Sequence, residues 1–134
     1  RTQRHALINR SGEFATAMRQ LEQLARQADG NVCPAIFPEG TRSRDGVLHP
    51  FHSGAVRRIL TGQKLPICAV AIDGGWQFSR LSDLFNLPWG HQYRVRIVGL
   101  YAAADTKSEV NRSLQAAHAA IAHQLQEWRG AHDA

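Results

Sequence analysis

Cysteine is scarce in this sequence. Cys33 and Cys68 are the only two in 134 residues, and neither belongs to a Cys-x-x-Cys pair, so a disulfide framework and a cysteine-based zinc site are both excluded. Each cysteine lies inside an apolar run, VCPAIF or PICAVAI, and reads as a reduced thiol buried in a strand, in keeping with a reducing, cytoplasmic setting. Long apolar runs are missing as well. None approaches the roughly 18–20 residues that a spanning helix needs, and the opening RTQRHALINR lacks the apolar core of a signal peptide. Acidic residues are the scarcer charge. Eleven Asp and Glu face sixteen Lys and Arg, and the net charge of +5 favours an anionic partner. No nucleic-acid motif and no evenly spaced aromatic and basic array directs that charge to DNA or RNA. Internal repeats and Pro/Gly/Ser linkers are absent too, so one domain is expected. With 43% hydrophobic and 20% charged residues, the chain has material for a core and is not disordered.

What is present reads as alternating helices and strands. Phe14, Ala17, Met18, Leu21, Leu24, Ala25 and Ala28 recur at helical spacing after a start at Ser11 or Gly12, with Asp29-Gly30 as the stop. Residues 32–37 form a continuous apolar run of strand length that feeds the polar loop 38–46. A short helix is predicted over 53–60, ended by Thr61-Gly62, and residues 65–72 read as a second fully buried strand. Such strands separated by helices point to an α/β fold with a mostly parallel or mixed sheet covered on both faces. Residues 73–90 carry Trp76, Phe78, Phe85 and Trp89 without a clear period, as a long loop. These aromatics form either a small core beneath the loop or a segment that dips into a membrane interface. Residues 93–98 alternate apolar and basic and read as a half-exposed strand near an edge. Thr106-x-x-Glu109 is a capping box, opening a helix whose buried stripe is Val110, Leu114, Ala117, Ile121, Leu125 and Trp128.

The chemically informative segment is Phe37-Pro38-Glu39-Gly40-Thr41-Arg42-Ser43-Arg44-Asp45-Gly46, followed by Pro50-Phe51-His52-Ser53-Gly54-Ala55. A strand running into Glu-Gly-Thr-Arg brings glycine amides, a hydroxyl and a guanidinium to the carboxyl end of a sheet, where α/β folds bind ligands. Arg42 and Arg44 offer forked donors to a phosphate, and the start of the helix near Ser53 adds partial positive charge. On these grounds alone the loop is either a phosphate site or a solvated turn. The pair His49 and His52 lacks a third ligand for a metal, and Ser53 has no Gly-x-Ser-x-Gly elbow that would make it a nucleophile. No metal site is expected.

FPEGTRS with the following PF-x-x-GA resembles the third conserved block of the glycerolipid acyltransferases, the family of the lysophosphatidate (1-acylglycerol-3-phosphate) acyltransferases. The family's second block, approximately G-x-x-F-I-x-R, falls on residues 4–10, with Ile8 and Arg10 in place, Arg4 at the glycine and Leu7 at the aromatic. Its apolar fourth block falls on residues 65–70, with Ala69 where a second proline often stands. The resemblance implies acyl transfer from acyl-CoA or acyl carrier protein, a co-substrate rather than a cofactor, to a hydroxyl of glycerol 3-phosphate or a lysophospholipid. It also implies that Arg10 and Arg42 hold the acceptor phosphate, that Glu39, Gly40 and Thr41 shape the glycerol pocket, and that Pro66 belongs to the acyl-side wall. Arg44 lies just past the motif as a further substrate-binding residue.

The family's catalysis rests on an H-x-x-x-x-D pair, His as general base and Asp fixing its tautomer. None of the seven histidines here is followed five residues later by Asp, so no catalytic residue is assigned. Residues 1–134 are expected to be the C-terminal, acceptor-binding portion of an acyltransferase domain, inactive alone and peripheral to the cytoplasmic face of a membrane, with Arg57, Arg58, Arg94 and Arg96 available to anionic headgroups. The competing reading is a non-catalytic module that binds a phosphorylated lipid or a protein partner.

Overall fold

The fold comes from a computed structural model that describes residues 14–27, 33–41, 43–61, 63–78, 83 and 89–130. Helix α1 spans Phe14–Gln27 and α2 Ser53–Leu60; strand β1 is Ile67–Asp73, followed by a 3₁₀ turn at Gly75–Phe78; strand β2 is Arg94–Tyr101, and α3 is Lys107–Gly130. Among the described residues the sheet has two strands, paired antiparallel from Ile67 opposite Tyr101 to Asp73 opposite Arg94, with a register shift at Ala69/Val70. Helix α1 packs on α2, α2 on α3, and α3 lies across both strands.

The mixed helix and strand content agrees with an α/β chain, but the mostly parallel or mixed sheet does not appear among the described residues. Two segments differ from the expected strands. The run 33–37 forms no strand, because Pro34 and Pro38 carry no amide hydrogen for a ladder; it is irregular, with Phe37 72% exposed. The run 65–72 is apolar throughout but alternates in burial. Ala69 and Ala71 face inward, while Cys68, Val70 and Ile72 face out. Cys33 is exposed as well, so neither thiol is buried as expected.

Strand β2 is half-exposed as predicted, with Val95, Arg96 and Ile97 all exposed in succession. Its arginines lie on the α3 side, where Arg96 Nη1 donates to Gln124 Oε1 at 3.0 Å and Arg94 Nη1 to the Trp128 carbonyl at 2.7 Å. Its large apolar residues, Val95, Ile97 and Leu100, are 58–73% exposed on the other side. The small inward side chains of β1 leave room for arginine stems, and the last carbonyls of α3 accept the guanidinium hydrogens and favour positive charge.

Helix ends follow the sequence closely. Thr106 and Glu109 form the reciprocal capping box, Thr106 N donating to Glu109 Oε2 at 3.0 Å and Glu109 N to Thr106 Oγ1 at 3.2 Å. The Thr106 amide, then the Thr106 hydroxyl and the Asp105 amide, hold the Glu109 carboxyl below its usual range. Helix α2 covers Ser53–Leu60 as predicted, and at its end the Thr61 amide and hydroxyl both bond to the Arg57 carbonyl. The predicted start of α1 at Ser11 or Gly12 lies outside the described residues. Val56, Leu60, Ala104, Val110 and Leu114 form one core cluster, and Leu21, Ala25 and Ile59 a second, with Ile36 packed against both. Ile36 thereby anchors the segment leading into the polar loop. No described helix is long and apolar enough to cross a membrane.

Candidate functional site

The segment 38–52 is a loop closed on itself. The His52 amide donates to the Pro38 carbonyl at 2.8 Å across its base, and Gly40 N to Phe37 O at 3.1 Å forms a turn at its start. Gly40 sits at φ +68°, a conformation that side-chain-bearing residues seldom adopt, and it lies beside the His52 ring. The Glu39 carboxylate turns back under the loop, where its Oε2 accepts the His49 amide at 2.9 Å. Glu39 thus fixes the conformation of the residues around it. Gly40, Thr41 and Arg44 are exposed along the outside.

The far limb is braced by Asp45, which accepts the Ser43 hydroxyl at 3.1 Å and the Val47 amide at 3.0 Å. The Val47 amide and then the Ser43 hydroxyl lower its carboxyl from the ordinary value. Gly46 is buried at φ +77°, and a Cβ there would meet the Trp76 ring at 2.9 Å, so only glycine fits without movement. The half-buried Trp76 ring accordingly packs against the loop, whereas Trp89 is fully exposed, and Phe85 lies outside the described residues.

Three further contacts fasten the loop to the rest of the fold. His118 Nε2 donates to the His49 carbonyl at 3.2 Å, and its ring meets Phe51 edge-on with centroids 4.8 Å apart. Arg129 Nη2 donates to the Gly46 carbonyl at 2.9 Å and to Asp73 Oδ1 at 2.9 Å, with Nε reaching Asp73 Oδ2 at 3.2 Å. Burial pushes the Asp73 carboxyl up, but hydrogen bonds from Arg129, the Gly74 amide and Trp76 together with the Arg129 charge outweigh it, and the carboxyl falls below its ordinary value. His118, Arg129 and Asp73 are remote in sequence from the motif they hold, so local spacing carries no sign of them.

Of the residues expected to bind substrate, Glu39, Gly40, Thr41 and Arg44 come together in this loop, and α2 begins where it ends, with His52 providing no side-chain cap. Pro66 is exposed immediately before β1. Arg10 and Arg42 lie outside the described residues. Among the described residues no cluster of three or more His, Cys, Asp or Glu side chains is placed to hold a metal.

The family model described as Acyltransferase matches residues 1–73, which include the whole loop and β1. A curated 1-acyl-sn-glycerol-3-phosphate acyltransferase of Limnanthes douglasii is 39% identical over 70 residues, 52% of this chain. The chain spans 25% of that relative's length. No solved structure matches.

Proposed function

The chain belongs to the acyltransferase family, and from that premise we propose that it supplies the acceptor-phosphate site of an enzyme that acylates a glycerol phosphate or lysophospholipid in phospholipid synthesis. In that reaction the acceptor hydroxyl oxygen attacks the thioester carbonyl of acyl-CoA or acyl carrier protein. An ester forms, the thiolate leaves, and a general base takes the hydroxyl proton.

The observation that carries the reading is the FPEGTRS loop itself, a family signature folded so that Gly40, Thr41 and Arg44 face solvent while Glu39 and Asp45 are spent on the loop's own amides. Glu39 is thereby turned in to a backbone donor, and Asp45, exposed beside Arg44, gives one oxygen to the Ser43 hydroxyl and the Val47 amide. Arg42, with Arg10 from the segment before α1, grips the phosphate through forked guanidinium donors, and Arg44 adds charge at the edge. Thr41 and the Gly40 backbone lie against the glycerol, and Pro66 forms part of the wall on the acyl side. Excess positive charge elsewhere favours peripheral contact with an anionic membrane.

None of these 134 residues forms an H-x-x-x-x-D pair, so the chain by itself is inactive in acyl transfer. The same lack favours a second reading, a module that binds a phosphorylated lipid or a partner without turnover. Kinetics of the polypeptide as encoded separate the two. Acyl transfer whose KM for the phosphorylated acceptor rises in the Arg42→Ala variant supports the enzyme, near-normal kinetics in that variant overturn the site, and no turnover in the parent leaves the binding module.

A further inference from the structure

Helix α3 and strand β2 lie wholly beyond the residues matched by the family model, yet two α3 side chains, His118 and Arg129, reach in and hold carbonyls of the loop 38–52. We propose that His118 and Arg129 are positioning residues which set the shape of the FPEGTRS loop from outside the family-matched segment, and through that shape its affinity for a phosphoryl group. The proposal rests on the reading of this loop as the acceptor site.

Two chains of contacts carry it. In the first, the His49 backbone is gripped from both sides, its carbonyl accepting from His118 Nε2 at 3.2 Å and its amide donating to Glu39 at 2.9 Å. Glu39 immediately precedes Gly40 and Thr41 in the chain, so a shift of His49 is passed through its carboxylate to the residues that face the ligand. The imidazole must carry its proton on Nε2, since a carbonyl only accepts. In the second, Arg129 bonds the Gly46 carbonyl, whose φ of +77° aims it, while Asp45 next to it holds Ser43 and Val47. Ser43 stands between Arg42 and Arg44. Asp73, held by the same guanidinium, ties this grip to the end of β1. The two grips therefore end one or two residues from opposite sides of the loop's tip. His118 also packs edge-on against Phe51 at the margin of the core, but the polar atoms of both side chains are aimed at main-chain oxygens of a polar segment, and a loop left with only its internal bonds samples more shapes and binds more weakly.

The test measures amide hydrogen exchange and sn-glycerol 3-phosphate binding by calorimetry on the 134-residue chain, for the parent, His118→Leu, His118→Gln and Arg129→Lys. His118→Leu removes the donor, whereas His118→Gln keeps an N–H that reaches the same carbonyl. Loss of one such bond corresponds to roughly three- to tenfold in an equilibrium. The expected result is that the Gly40, His49 and His52 amides exchange roughly three- to tenfold faster in His118→Leu, that the dissociation constant rises by a similar factor, and that His118→Gln restores most of both. The Val47 amide responds in the same way to Arg129→Lys, while Ile59 in α2 serves as the unchanged reference. Loop exchange equal to that of the parent overturns the proposal, as does faster exchange with unaltered affinity, or an equal loss at Ile59, which marks general destabilisation. If the parent itself fails to bind sn-glycerol 3-phosphate, the reading of the site falls, and loop exchange in the variants still decides whether α3 sets the loop.

Discussion

Arg96 on β2 donates to Gln124 on α3 at 3.0 Å, and Gln124, 6% exposed, passes a hydrogen bond on to Glu127 at 2.9 Å. This buried amide holds one of the two arginines that β2 turns toward α3. With Arg96 and Arg94 turned to the helix, the period-two pattern of the strand puts Val95 and Ile97 on the opposite side. Replacing Gln124 by Leu removes the acceptor while keeping most of the volume. The expected loss is up to about 1 kcal/mol in the denaturant unfolding free energy, the net worth of one hydrogen bond to a guanidinium that also reaches water. An unchanged midpoint would show that Arg96 finds water instead.

The apolar face left outward comprises Val70, Ile72, Val95, Ile97 and Leu100. Ile97 is 69% exposed, so Ile97→Thr should alter stability by no more than about 0.5 kcal/mol, since exposed substitutions seldom cost more. Binding of the dye anilinonaphthalene sulfonate should fall in the same variant, because a contiguous apolar surface is what the dye senses.

Much of the fold was legible in sequence where a local signal governs it. The Thr106–Glu109 capping box and the α2 boundaries at Ser53 and Leu60 are local matters, and the structure reproduces both. The sheet was harder, because an apolar run does not say which of its residues are small. Ala69 and Ala71 face in and Val70 and Ile72 face out, an alternation of size rather than polarity. The acceptors that hold the β2 arginines, Gln124 and the Trp128 carbonyl, lie far along the chain. Within the site, the FPEGTRS loop was visible as a motif, but the fastening of that loop by His118 and Arg129 was not, since those contacts span 69 and 83 positions.

Gly46 tests the packing of the loop against its neighbours. Alanine there meets the Trp76 ring at 2.9 Å and adopts φ +77°, so Gly46→Ala should destabilise the chain by about 1–3 kcal/mol through strained backbone and displaced ring. Trp76 fluorescence should shift with the loss. A variant as stable as the parent would contradict the position of Trp76 against the loop.

Stability should fall in acid partly through Asp73. Its carboxyl is lowered in the folded chain, so the stabilisation is complete above the unfolded value of about 3.9 and is lost as pH drops through the folded value. Asp73→Asn should cost on the order of 1 kcal/mol at pH 7, a modest figure because the Arg129 side chain is 43% exposed. Urea titrations of parent and variant should then converge as the pH is taken below about 3.9. A constant difference across that range would contradict the pairing with Arg129.

Whether the FPEGTRS loop receives a phosphoryl group is decided by calorimetric titration of the 134-residue chain with sn-glycerol 3-phosphate, for the parent and for Arg42→Ala. Binding should be saturable and should weaken at least about tenfold when the Arg42 guanidinium is removed, as expected for the loss of a charge-assisted pair. Equal affinity in the two proteins, or no binding by the parent, would contradict this role of the loop.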